Sequence, residues 1–223
     1  MSSSTAQHKP LLVVVGATGT QGSSVVHAFL SASPSWRIRG LTRNPSSAAS
    51  KALTAKGVEM VAADLDDPST LLAAFAGATA IFAVTDFWGP FMALAQSHER
   101  QNHELEPGQT VNAWAYEHEL AQAKAIADAA AQVPGLERFV WSSLTAAREI
   151  SHGKYTWVYH FDSKADAAEY MKEKHPELWK KTSRVQVGFY ATNNSTLPFM
   201  RPQKVGLPIV LPCSTSSPCK SEW

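Results

Sequence analysis

The stretch Leu11–Gly22, LLVVVGATGTQG, decides the fold. Five consecutive apolar residues predict a strand buried on both faces, and Gly16, Gly19 and Gly22 then break it. Each glycine has its own physical role. Gly16 permits a tight turn, Gly19 lets the backbone approach a pyrophosphate, and Gly22 lets the next helix pack closely on the strand. The helix that follows offers its N-terminal amides and the positive end of its dipole to an anion.

The spacing is GxxGxxG, a loose match to the GxGxxG dinucleotide fingerprint, and a glycine-rich turn between any strand and helix can give it. Context favours the nucleotide reading. A helix carrying Val25, Val26, Phe29 and Leu30 comes next, and a second strand, Trp36–Thr42, arrives where a βαβ unit places one.

The same alternation continues along the chain. Strands are expected at Leu11–Val15, Arg37–Leu41, Glu59–Ala62, Ala80–Val84, Phe139–Ser142 and Arg184–Val187. Helices are expected at Gln21–Ser31, Ser46–Lys56, Pro68–Phe75, Ala115–Gln132 and Ser163–Lys174. The fold class is therefore α/β, a Rossmann-type doubly wound parallel sheet with helices on both faces. Phe87–Val111, with Trp88-Gly89-Pro90 and Pro107-Gly108, reads as an elaborated loop, either a functional lid or a solvated insertion.

With 223 residues and 44% hydrophobic content, the chain can bury one substantial core. Twenty Lys and Arg against 19 Asp and Glu give a net charge of +1, so no global field recommends nucleic acid or an anionic membrane as partner. Residues 1–9 read as a flexible N-terminus without the apolar core of a signal peptide, and no window approaches transmembrane length. Cys213 and Cys219 form neither a disulfide framework nor a zinc site, and no metal is expected. A cytoplasmic setting is expected, with the nucleus as a second location.

Several residues carry candidate chemistry. Arg43 closes the second strand where a Rossmann unit reads the adenosine ribose. Its guanidinium fork suits a 2′-phosphate, so the expected cofactor is NADP(H), although a plain exposed Arg gives the same sequence. After the third strand, Asp64 suits the adenine edge, while Asp66 or Asp67 can cap the helix at Pro68. Thr85, Asp86 and Phe87 end the fourth strand on the cofactor's expected path, and Thr85 also fits a hydrogen-bonding strand terminator. Ser142, Ser143, His160 and Lys164 form a possible proton relay, but His160 stands where a Tyr four residues before Lys would have its phenol pKa lowered. His160 is read as either a relay group or a packing residue, and Lys164 as a cofactor contact before a catalyst.

GATGTQG, LTRNP, ADLDD, VTDFW, WSSL, HFDSKA and VGFYATNN, spanning Leu11 to about Asn194, together resemble the NmrA-like family of atypical short-chain dehydrogenase/reductases, in its fungal form. The resemblance implies NADP(H) contacts at Gly16, Ala17, Thr18, Gly19, Thr20, Gln21 and Gly22, then at Thr42, Arg43, Asn44 and Pro45. It further implies contacts at Asp64, Leu65, Thr85, Asp86, Phe87 and Lys164, with Lys124 a weaker candidate. Gly188, Phe189, Tyr190 and Ala191 complete the set, and Asn193 matches the Asn that follows the family's sixth strand. Residues 10–200 would form the cofactor-binding domain, with its insertion at 87–111. Residues 201–223 would be a reduced substrate region and loose tail, as expected of a shortened or alternatively read product.

The resemblance implies an NADP-dependent oxidoreductase of secondary metabolism acting on a small carbonyl or enone. Lys164 would hold the ribose, and Ser142, Ser143 or His160 would polarise the acceptor. The missing Tyr also fits a redox sensor that binds NADP(H) and signals through a regulatory protein partner. A remnant with weak cofactor binding is the third reading.

Overall fold

The computed structural model describes residues 9–96 and 105–193. The chain divides into two compact units, Met1–Gln186 and Val187–Trp223. Of the second, residues 187–193 are described; there the Asn193 amide donates to the Tyr190 carbonyl at 2.9 Å. The readings for residues 1–8 and 201–223, including Cys213 and Cys219, lie outside the described residues.

In the first unit the strands are β1 Leu11–Val14, β2 Arg37–Thr42, β3 Glu59–Ala62, β4 Ala80–Ala83, β5 Arg138–Ser143 and β6 Thr182–Gln186. They form one parallel sheet in the order β3-β2-β1-β4-β5-β6. Strand order reverses between β1 and β4, the switch point at which such sheets open a crevice. The helices are α1 Thr20–Ala32, α2 Ala48–Thr54, α3 Ser69–Phe75, α4 Trp88–Gln96, α5 Val111–Ala131, α6 Ala147–Ile150, α7 Tyr159–Lys174 and α8 Pro176–Trp179. No helix of the described residues is long and apolar enough to cross a membrane.

The unbroken apolar run of β1 follows from its place at the centre of two layers. Leu11, Val13 and Val15 point to one face and pack with Leu71, Phe75, Ile126 and Met171 from α3, α5 and α7. Leu12 and Val14 point to the other and pack with Val26 of α1 and Leu53 of α2. Alternate side chains of a strand face opposite ways, so a strand covered on both sides must be apolar throughout. Each such fully buried side chain stabilises the fold by about 1.5–3 kcal/mol.

The insertion departs from expectation. Residues 88–96 are helical because the Asp86 carboxylate caps α4, with Oδ1 accepting from the amides of Trp88 (3.1 Å) and Gly89 (3.2 Å). Pro90 is tolerated there because a first-turn amide has no intrahelical partner to lose. α5 begins four residues before the expected start, since Thr110 caps it through Ala113 N (3.2 Å). α7 likewise starts at Tyr159, which places the whole HFDSK segment on helix. β6 begins at Thr182, two residues before the expected start, and ends at Gln186. The short helices α6 and α8 lie outside the expected elements.

Candidate functional site

The turn after β1 has the geometry its glycines require. Gly16 adopts φ +65°, and a Cβ on Gly22 would lie 2.1 Å from the Gly16 carbonyl oxygen, so α1 sits directly on the turn. Gly19 precedes α1 and offers no side chain to cap it. Above the turn opens a cavity of about 1300 Å³, larger than a typical drug-sized pocket. Its floor includes Val15, Gly16, Thr18 and Gly19, its rim at β2 includes Thr42, Arg43 and Asn44, and Asp64 and Leu65 border it after β3.

Arg43 is exposed on this rim and has no hydrogen-bond or ion-pair partner among the described residues. The acids after β3 divide their work. Asp67 accepts from the Ser69 amide (3.1 Å) and hydroxyl (2.6 Å), closing the start of α3. Asp64 accepts from the Asp66 amide at 3.1 Å, and Asp66 receives Gln122 Nε2 (2.7 Å) and pairs with His118 Nε2 (2.8 Å).

The opposite wall comes from α4 and α5, the first within the segment 87–111 that the sequence offered as either a lid or a solvated insertion. Gly89, Pro90, Ala93 and Leu94 of α4 line it, as do Trp114, His118 and Gln122 of α5. The Trp114 and His118 rings stack with centroids 4.9 Å apart and 9° between planes. His118 Nδ1 is buried without a hydrogen-bond partner among the described residues.

Behind β4 lies a buried polar cluster. Lys164 Nζ donates to the Thr85 carbonyl (3.0 Å), to Thr85 Oγ1 (3.0 Å) and to Glu119 Oε1. Thr85 Oγ1 donates to Glu119 Oε1 at 2.8 Å, and Ser163 Oγ donates to Glu119 Oε2. The Glu119 side chain is 1% exposed and that of Lys164 10%. Glu119 was missed by the sequence reading, though a signal existed. It stands on the buried face of α5 with Ala115, Ala123 and Ile126, where a lone carboxylate implies a buried cation.

The expected relay is only partly assembled. Ser142 Oγ donates to Gln21 Oε1 (2.7 Å), tying the end of β5 to α1. Ser143 is fully buried and its hydroxyl donates to the carbonyls of Leu144 and Lys164, both at 3.3 Å, so it is spent on backbone and does not line the cavity. His160 packs against Phe87 (5.7 Å), Trp88 (4.9 Å) and Phe161 (4.9 Å), and has no hydrogen-bond partner among the described residues. Burial lowers its pKa; Lys164 lowers it further, while Glu119 and Asp162 oppose the shift.

Other expected residues are placed apart from the cavity. Lys124 lies over the Tyr170 ring at 5.2 Å, on the side of α5 that meets α7. Ala17 is fully buried in the core beneath α1, and Phe87 is buried against Trp88 and Phe91. Thr20, Gln21, Gly22, Pro45, Thr85 and Lys164 do not line the cavity, whereas Asp86 does. Gly188, Phe189, Tyr190, Ala191 and Asn193 belong to the second unit.

The profile of the NmrA-like family matches residues 8–214. An NmrA-like family domain-containing oxidoreductase of Aspergillus hancockii is 35% identical over 144 residues, which are 65% of this chain and 36% of the relative. Among solved structures, NmrA, a negative transcriptional regulator, superposes with TM-score 0.62 at 19% identity, over 83% of this chain and 47% of that one. An NADPH-dependent quinone oxidoreductase of Escherichia coli complexed with NADPH gives TM-score 0.55 at 19% identity, over 83% and 51%. The chain thus spans little more than a third of that curated relative and about half of these solved chains.

Proposed function

The chain belongs to the NmrA-like family, and on that premise we propose that it binds NADP(H) in the cavity above the Gly16–Gly22 turn and serves as an NADP-dependent oxidoreductase. The observation that carries the reading is one shared cavity, with an uncapped helix start in its floor and an unpaired guanidinium on its rim. A helix N-terminus and a free Arg are two anion-binding devices, and a pyrophosphate with a 2′-phosphate would occupy both. Gly16, Thr18 and Gly19 would cradle the pyrophosphate, Arg43 with Thr42 and Asn44 the 2′-phosphate, and Asp64 with Leu65 the adenine side. The relatives' names support hydride transfer to a small molecule, for which a carbonyl or enone is the proposed acceptor. When bound, the nicotinamide supplies the hydride; the chain's own part is to hold the ring over the end of β4 and exclude water.

The test is nucleotide titration followed by turnover. Wild type should bind NADPH, and R43S should weaken NADPH about ten- to a hundred-fold while leaving NADH little changed, as expected for losing a charge-assisted contact. Equal losses for both nucleotides would remove the 2′-phosphate role. NADPH binding without NADPH oxidation across a broad panel of carbonyls and enones would remove the oxidoreductase reading.

One observation favours a second reading, a sensor of NADP(H) state acting through a protein partner. Lys164, Ser143 and His160 are each committed to buried partners or to ring packing, so no acid is presented to the cavity by that set. Partner capture with NADP+, with NADPH and without nucleotide should then differ; equal recovery removes the idea.

A further inference from the structure

An ammonium has three protons to donate, and all three of Lys164 are used inside the protein, on the Thr85 carbonyl, Thr85 Oγ1 and Glu119 Oε1. Glu119 in turn receives three donors, from Lys164, Thr85 and Ser163. With side chains 10% and 1% exposed, the two charges lie where solvent and salt screen weakly. Their place in the fold gives them reach. Thr85 separates Val84 from Asp86, both of which line the cavity, so the Lys164 ammonium is 3.0 Å from the chain that forms its wall at the switch point.

We propose that Glu119 is a positioning residue that sets the site's preference between oxidised and reduced nucleotide. It fixes Lys164 against β4 and cancels that charge at the nicotinamide end. This rests on the nucleotide-binding reading above, with the nicotinamide over the end of β4. An unmasked ammonium there repels the cationic ring of NADP+ and leaves the neutral ring of NADPH unaffected. The paired carboxylate removes the bias, so the pair acts as a neutral unit. No phenol competes for the ammonium from position 160, which is His.

The experiment measures the ratio Kd(NADP+)/Kd(NADPH) in four proteins. E119Q keeps the side-chain shape and an oxygen that accepts from Lys164 and Thr85; it loses the charge, and its amide nitrogen donates to Ser163 Oγ where the carboxylate accepted from it. Its ratio should rise about five-fold over wild type, the order a unit charge produces across several ångströms of partly screened protein. K164M removes the ammonium, so its ratio should not exceed the wild-type value, and a rise there overturns the inference even if E119Q does not fold. The double variant E119Q/K164M should return to the wild-type ratio. A purely structural Glu119 would weaken both nucleotides together and leave the ratio fixed, which overturns the inference. So does a double variant that keeps the E119Q value. Wild type that binds neither nucleotide overturns the nucleotide-binding reading itself, an outcome separate from an unchanged ratio in proteins that do bind.

Discussion

His160 stands half-buried among the rings of Phe87, Trp88 and Phe161, and burial holds its pKa below the ordinary 6.5. The unfolded chain therefore takes up the proton more readily than the folded one. The stability this neutral imidazole lends is fully present above the unfolded pKa and is lost as pH falls through the folded value. Wild type should lose more thermal stability than H160F between about pH 7 and 5; parallel melting curves in a pH series would contradict the assignment. At this scale the sequence was informative wherever a residue acts by its own chemistry. Arg43 could be offered as a phosphate fork from position and charge alone, and the structure places it exposed on the cavity rim. Lys164 was only half legible, because its role depends on Glu119, 45 residues away, and no local pattern joins the two.

Among the elements, the β1–α1 turn tolerates least. A methyl group on Gly22 meets the carbonyl oxygen of Gly16 at 2.1 Å and its carbon at 2.7 Å, and both belong to backbone. G22A should therefore cost about 1–3 kcal/mol or more in urea unfolding, the range for overpacking a tight contact, and should impair nucleotide binding with it. Unchanged stability would show that the turn can shift. A second joint links α5, α6 and α7. The Tyr116 hydroxyl donates to Asp166 Oδ2, which Arg148 also meets at 2.9 Å, and burial with the Asp166 bond pushes the phenol up to about 12. Y116F should cost about 1–2 kcal/mol, the low side of a bond to a charged acceptor because the site is part-exposed; denaturant melts of the two proteins check it. α4 is the longest of the three helices, with α6 and α8, that pattern reading missed. Trp-Gly-Pro signals a loop by composition, yet Asp86 supplies a cap, and a first turn can absorb a proline.

For the whole molecule, the order β3-β2-β1-β4-β5-β6 places the glycine turn of β1 beside the end of β4, and the cavity follows from that reversal. A ligand that binds only the folded state must raise its stability, so NADPH at a hundred times its Kd should add about 2.7 kcal/mol, read as a rise in melting temperature. No rise at saturating NADPH would remove the nucleotide from the site. The sequence by itself determined the features that local sterics and periodicity encode. These are apolar strands alternating with helices, a left-handed Gly16, and a Gly22 without room for a side chain. Only the tertiary structure decided which distant residues meet. Ser142 reaches Gln21 across 121 positions, Glu119 reaches Lys164 across 45, and α4 closes one wall of the cavity. Backbone periodicity reports which face of an element is buried, whereas the partner waiting on that face is set by sheet order and helix packing.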